Sequence, residues 1–220
     1  PSLNSIIYDS LLPNLIHTIN ENHHLDLFPY VDLKGKTPNE GIVSFNDLPR
    51  YAMGYASLFH SISFTVETHM LKPFPDRVEA TLAFMEELID WTSLNKSLIE
   101  NSRDQARRFV IESSSLKYNY ASSNKKDSIL FKGYKHSFPI HKTTGLSRLK
   151  YDTSSPYTKY VPYYNSSTAK DSVKIPDLYY ISAQEKDIIK RLKSNKVEMK
   201  MISKDTSMLL SVYRVVKFAS

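Results

Sequence analysis

The sequence contains no cysteine among its 220 residues, which excludes disulfide scaffolds, cysteine-ligated zinc fingers and thiol nucleophiles. Glycine is scarce, with five residues, and no two of them have the spacing of a phosphate-binding loop. No apolar run approaches the roughly 18 residues that a membrane-spanning helix needs. The remaining composition, 41% hydrophobic and 24% charged, is typical of a globular protein with a buried core.

The net charge of +6 is divided unevenly along the chain. Residues 1–90 contain 12 acidic and 5 basic side chains, whereas residues 91–220 contain 11 acidic and 24 basic ones. Tyrosine follows the same division, because ten of the 15 tyrosines lie between positions 118 and 180. Such a change in composition favours two units with different surfaces. We place the boundary at the serine run that ends at residue 115 and predict domains 1–115 and 116–220.

Hydrophobic spacing predicts an α/β architecture for the first domain. Apolar residues recur at helical intervals over residues 3–22, from residue 76 onwards, and over residues 93–111. Residues 61–66 alternate small polar with large apolar side chains, which is the strongest strand signal in the chain. A strand is also expected at residues 41–45.

The second domain is predicted to be a β-rich α+β unit. Ser182 and Glu185 have the spacing of a capping box and predict a helix that begins after them. The expected strands are short extended runs separated by proline, serine and threonine: 129–134, 149–151, 160–164, 178–181, 197–201 and 209–216.

Glu67 follows the predicted strand at residues 61–66 and is the first candidate for chemistry. In open α/β sheets the carboxyl ends of the strands line the ligand crevice, so a carboxylate there has the position of a general base. The alternative is that Glu67 begins a loop and faces water. Spacing alone favours this second interpretation.

A longer string around Glu67 is more informative than its spacing. Residues 64–74 have the sequence FTVETHMLKPF, and residues 77–81 have the sequence RVEAT. These residues resemble the zinc metallocarboxypeptidases of the carboxypeptidase A type, most of all a bacterial branch with an extra C-terminal region. Shorter pieces resemble the same branch at several places: 29–31, 50–55, 131–134, 175–180 and 191–193.

The resemblance implies a fold, an activity and a location. It implies the C-terminal part of a mixed-sheet, carboxypeptidase-like α/β domain over residues 1–115, followed by an accessory domain over residues 116–220. The whole protein would be a secreted or periplasmic hydrolase that cleaves peptide or peptide-like amide bonds with zinc as its cofactor. This chain would supply the catalytic glutamate, and an N-terminal half of the same protein would supply the zinc ligands.

The resemblance also implies roles for individual residues. The family residue that matches Glu67 is the catalytic glutamate, which takes a proton from zinc-bound water. A family tyrosine upstream of this glutamate binds the substrate, and Tyr51 is its first match here, followed by Tyr55. Two tyrosines that merely pack at the sheet edge fit the spacing equally well. His69 is expected to bond a local backbone group.

The sequence departs from the family at the zinc ligands. The family uses an H-x-x-E pair and a later histidine, but none of the seven histidines here has a glutamate three residues on. His23, His24 and Asp26 form a local group of suitable ligand types, yet adjacent histidines project in different directions. We therefore predict no metal site within this chain and expect the chain alone to be inactive.

The basic, tyrosine-rich second domain suggests other functions. Such a surface can bind nucleic acid through phosphate contacts and stacking, or carbohydrate by stacking. Its lysines are scattered and its largest lysine cluster is Lys125-Lys126, so we predict no nucleic-acid partner, and no membrane partner either. An accessory domain on the peptidase flank is favoured. The alternative for the whole chain is a non-enzymatic binding module, for carbohydrate or for a protein partner, derived from a peptidase.

Overall fold

The computed structural model of the protein describes residues 2–44 and 46–214. The chain divides into two compact units, residues 1–175 and residues 176–220. The first unit combines helices with a mixed sheet and a second, antiparallel sheet, which confirms the α/β class. The predicted boundary at residue 115 lies where helices give way to strands inside this unit. Its role as a domain boundary stays a prediction.

The N-terminal segment is one helical run with a change of pitch. It consists of α1 (Leu3–Ile6), a π-helical turn (Ile7–Leu11) and α2 (Leu12–His23). Pro13 lies just after the π-helical turn, and because proline has no backbone N–H, one hydrogen bond of the continuous helical run is missing there. The helical prediction for residues 3–22 is thereby confirmed.

Three further helices follow in the first unit: α3 (Ala52–Ser57), α4 (Phe74–Leu94) and α5 (Lys96–Glu112). The periodicity predicted α4 and α5 but not the short α3. A proline precedes α4 and another lies in its first turn, where the fixed φ of proline suits a helix start.

The main core lies between the N-terminal helical run and α4. Leu11 and Leu15 are almost completely buried, and Trp91 of α4 is 6% exposed. Ile62 and Phe64 pack against this cluster from the segment before α4, and the Phe64 and Phe84 rings meet edge to face at 5.6 Å. The buried members are Ile6, Leu11, Leu15, Ile19, Phe84 and Trp91.

Six strands form two sheets, and all of them lie in the first unit as far as the structure describes the chain. The strands are β1 (Asp32–Leu33), β2 (Ile42–Val43), β3 (Ser115–Ser122), β4 (Asp127–Ser137), β5 (Lys150–Tyr164) and β6 (Ser167–Lys174). The four-stranded sheet has the order β1-β2-β5-β4, in which β2 and β5 are parallel and the other pairs antiparallel. β3 and β6 pair antiparallel in the second sheet. Two of the predicted short runs, 149–151 and 160–164, thus belong to one long strand, β5, which begins at Lys150.

The strand prediction at residues 61–66 is wrong. Residues 61–69 run without helix, strand, turn or bend, and the backbone of residues 62–68 has no hydrogen bond to another described residue. Alternation predicts which side chains turn towards a core, but a strand also requires a neighbouring backbone at hydrogen-bonding distance. The described residues provide no such neighbour.

The second unit contains one helix within its described part, α6 (Lys186–Ser194), and no strand. The helix prediction is confirmed, but the predicted capping box is wrong, because the helix is preceded by Glu185 and has no side-chain cap. The Ser182 hydroxyl instead accepts a hydrogen bond from the Gln184 amide at 3.3 Å in the preceding turn. The strands predicted at residues 178–181 and 197–201 are wrong. The run predicted at residues 209–216 forms no strand as far as residue 214, and its end lies outside the described residues. Across the described chain, no helix is both long and apolar enough to cross a membrane.

Candidate functional site

Glu67 is an exposed carboxylate that follows the unpaired segment 61–66. The next residue, Thr68, lines a groove of about 440 Å³ whose other walls are side chains of α4, namely four apolar ones, Thr81 and Arg77. The prediction that Glu67 ends a sheet strand is wrong, because residues 61–66, directly before it, form no strand. Its role in catalysis stays a prediction.

The groove beside Glu67 combines apolar walls with one cation. Arg77 projects from the first turns of α4, and its guanidinium carbon lies 5.6 Å from the centre of the Phe74 ring. Its Nε atom is buried and finds no hydrogen-bond acceptor in the part of the chain that the structure describes. An arginine donor of this kind suits a carboxylate. Sequence reasoning did not single out Arg77, although its spacing of three residues from Phe74 places both on one side of the helix.

The two candidate substrate-binding tyrosines belong to α3. Tyr51 precedes its first residue, and the Tyr51 hydroxyl accepts a hydrogen bond from Arg50 at 3.0 Å. The Tyr55 ring meets the Phe59 ring edge to face at 5.2 Å. Both tyrosines are about half exposed. Neither of these contacts involves Glu67, so the substrate-binding roles of Tyr51 and Tyr55 stay predictions.

A glycine fixes the position of α3. A Cβ atom at Gly54 would overlap the backbone carbonyl of Leu48, so only glycine lets the helix approach the preceding turn this closely. This contact holds the start of α3, and with it Tyr51, against residues 47–48.

Two of the three residues considered as metal ligands, His23 and Asp26, contact other side chains. His23 Nε2 lies 3.1 Å from Glu87 Oε1, and Asp26 accepts hydrogen bonds from Lys132 Nζ at 2.7 and 2.8 Å. His24 ends α2 in the left-handed conformation. Across residues 2–44 and 46–214, no three histidine or acidic side chains lie close enough together to hold a metal ion. The side chains that the structure describes therefore do not fit a zinc site.

The interpretation of His69 as a local backbone partner is confirmed. Its Nδ1 atom accepts a hydrogen bond from the Leu71 amide at 3.2 Å. This bond belongs to the turn that leads from Glu67 towards α4, and the backbone amide of Lys72 closes the same turn on the His69 carbonyl at 3.0 Å.

Glu87 links α4 to the end of α2. The Asn22 side-chain amide donates to Glu87 Oε1 at 2.8 Å, and His23 lies against the same oxygen. The Asn22 hydrogen bond is the largest cause that holds the pKa of Glu87 below its ordinary value of 4.5, and burial opposes it. The Glu87 side chain is only 13% exposed, so this contact is partly shielded from solvent.

Glu87 makes the stability of the helical core depend on pH. Because folding lowers its pKa, its contribution is fully present above about pH 4.5 and is lost as the pH falls through the lower folded-state value. We expect Glu87→Gln to lower the free energy of unfolding by about 1 kcal/mol near pH 7, and by less at acidic pH. Urea titrations that follow Trp91 fluorescence at several pH values measure this. Glu86→Gln, which changes an exposed neighbouring residue, is the control. If the difference in unfolding free energy between the wild type and Glu87→Gln stayed constant with pH, this result would contradict the assignment.

Comparison with known proteins identifies no relative of this chain. No protein-family model matches it, and neither a curated protein nor a solved structure does. A functional assignment therefore depends on the residues and the geometry described above.

Proposed function

We propose that this chain is part of a zinc-dependent hydrolase of the metallocarboxypeptidase type, in which it supplies Glu67 as the general base. In this proposal the zinc ligands come from an N-terminal half of the same protein, because the described residues contain no group of side chains that fits a zinc ion. The substrate is a peptide or peptide-like amide. The observation that carries the proposal is that Thr68, the residue after Glu67, lines a groove that also contains Arg77 and apolar side chains of α4.

Three features around Glu67 support this role. It lies within the string FTVETHMLKPF, which resembles the peptidase family. Its carboxylate has no salt bridge within the described part of the chain, so it remains available to accept a proton. Arg77 lines the adjacent groove, and a guanidinium is a group of the kind that binds the free carboxylate of a peptide.

The chemistry of Glu67 follows from its carboxylate. As water attacks the amide carbon, Glu67 accepts a proton from that water, and a bond forms between the water oxygen and the carbon. Glu67 then gives this proton to the amide nitrogen, the carbon–nitrogen bond breaks, and the amine leaves. The apolar walls of the groove suit a hydrophobic side chain of the peptide.

A binding module for carbohydrate is the second candidate, and one face of the four-stranded sheet favours it. The register pairs Leu130 with Tyr160 and Tyr134 with Pro156, which places all four side chains on the same face. All four are exposed, and Tyr160 is 70% exposed. An aromatic, largely apolar sheet face of this kind can stack on sugar rings.

An assay on the complete gene product tests the proposed hydrolase. We expect it to release C-terminal residues from peptides with a free carboxylate, because the guanidinium of Arg77 lies at the groove and can bind that group. The same peptides with an amidated C-terminus are the matched control and should be cleaved far less. A zinc chelator should stop the reaction, and added zinc should restore it. Absence of hydrolysis together with saturable oligosaccharide binding would favour the binding module instead.

A further inference from the structure

A cavity of about 570 Å³ lies within the first unit, beside the single tryptophan of the chain. Its walls come from the unpaired segment 61–66, from α4 and α5, and from the π-helical turn. Leu11, Phe84 and Trp91 line it, and all three are members of the main core. We call this cavity the Trp91 pocket. Its volume is typical of sites that bind small organic molecules.

The lining of the Trp91 pocket is apolar except for hydroxyl groups and one cation. Most of its residues are aliphatic or aromatic, and its uncharged polar residues are serines and threonines. Among the described residues, Arg103 is the only charged one in this lining. Protein interiors leave few voids larger than a water molecule, so a space of this size between core side chains suits a ligand. The lining fits a ligand with an apolar body and one negative charge.

Arg103 has no acidic partner within the described chain. It is partly buried on α5, and its Nη2 atom donates to the Phe59 carbonyl at 3.4 Å, which is long for such a bond. Its Nε atom finds no acceptor among the described residues, and none of their salt bridges involves it. Asp104, the next residue of α5, pairs with Arg107 instead. A guanidinium offers five N–H donors and stays charged, so an anion beside Arg103 gains charge-assisted hydrogen bonds.

We propose that the Trp91 pocket binds a small apolar monocarboxylate, whose carboxylate pairs with Arg103 and whose hydrocarbon body lies against Trp91. An uncharged ligand would leave the charge of Arg103 without a partner. The pocket differs from the groove beside Glu67, because the two share Thr81 and Met85 as walls but only the pocket contains Arg103. The proposal depends neither on zinc nor on Glu67 and therefore goes beyond the proposed hydrolase.

The segment 61–66 is the wall of the pocket that a ligand displaces most easily. The backbone of residues 62–68 has no hydrogen bond to another described residue. Ile62 and Phe64 hold the segment against the core by side-chain packing. Outward movement of this wall therefore breaks apolar contacts but no backbone hydrogen bond, and a segment of this kind opens at low cost in free energy.

Quenching of Trp91 fluorescence tests the proposal, since Trp91 is the single tryptophan and lines the pocket. The probe is 10-bromodecanoate, because bromine quenches an indole ring only at close range. We expect saturable quenching in the 220-residue chain, and we expect decanoate to reverse it by competition. Decanol, an uncharged chain of the same length, should compete roughly tenfold less well or worse. Equal competition by decanoate and decanol, or quenching that does not saturate, would overturn the proposal.

Variants of Arg103 test the role of its charge. Arg103→Gln should weaken decanoate binding roughly 10- to 100-fold, the range expected for lost charge-assisted hydrogen bonds, and should leave decanol binding nearly unchanged. Arg103→Lys keeps the charge and should bind decanoate more tightly than Arg103→Gln. Arg108→Gln is the matched control, because Arg108 is exposed on the same helix and does not line the pocket. Wild-type affinity for decanoate in a folded Arg103→Gln would refute the assignment.

Arg77→Gln distinguishes the Trp91 pocket from the neighbouring groove, which Arg77 lines. A ligand in the pocket keeps its affinity in this variant. Loss of decanoate binding in Arg77→Gln, together with wild-type binding in Arg103→Gln, would place the ligand in the groove and overturn the proposal. The comparison of decanoate with decanol uses the unchanged chain, so it decides the question even where a variant does not fold.

Discussion

Glu67→Gln is expected to reduce kcat by about 10²–10⁴-fold in the complete, zinc-loaded protein, because general-base catalysis contributes a factor of that size. Glutamine keeps the size of the side chain but does not accept a proton from water. Substrate binding through Arg77 and the apolar walls of the groove is unaffected, so KM should change little. Steady-state kinetics on peptides with a free C-terminus measure both constants.

Tyr51→Phe is the comparison variant for this experiment. It removes one hydroxyl, which in the structure accepts a hydrogen bond from Arg50, and leaves the aromatic ring in place. We expect a loss of only about 0.5–1.5 kcal/mol in transition-state stabilisation. Wild-type turnover in Glu67→Gln together with complete loss in Tyr51→Phe would show that the two roles are assigned wrongly. Full activity in both variants would place the active site elsewhere.

Leu15→Ala is expected to lower the free energy of unfolding by about 2–5 kcal/mol. Leu15 is completely buried between the N-terminal helical run and α4, so its removal leaves a cavity that the surrounding side chains fill only in part. This loss is a large share of the stability of an ordinary domain. Urea unfolding monitored by the fluorescence of Trp91, the single tryptophan and a member of the same cluster, measures it directly.

The matched control for Leu15→Ala is Leu94→Ala. Leu94 is the last residue of α4 and is 86% exposed, so the same change of side chain removes almost no buried surface there. We expect an effect within about 0.5 kcal/mol. Similar losses in the two variants would mean that the cluster around Trp91 is not the core that holds the helices together.

The helices were predictable because their hydrogen bonds are local. After the first turn of α4 and of α5, each N–H bonds a carbonyl four residues earlier, so side-chain periodicity and the prolines at the start of α4 are sufficient to place them. The position of β4 was also predictable, because its local sequence pattern matches that of a half-buried strand. Its partner β5 was not predictable as one strand, because proline and serine interrupt its pattern and the strand is continuous only through its pairing with β4 along its length and with β2 at its end.

The sequence indicates Glu67 as a candidate residue, but it does not predict what surrounds Glu67. The string around Glu67 and the lack of an H-x-x-E pair are properties of the sequence, and the catalytic role that they suggest stays a prediction. The role of Arg77 in the groove depends on the orientation of α4 relative to Thr68. No spacing rule in the sequence contains that information.

The sequence by itself determined the long helical segments, the charge division and the lack of a zinc-binding motif, because each depends on residues close together in the chain. The tertiary structure decided that His23 contacts Glu87 and that β2 pairs with β5, since these partners are 64 and more than 100 positions apart. It also decided that residues 61–66 form no strand. Strand hydrogen bonds need a second backbone, and the sequence of a single segment does not show whether one lies beside it.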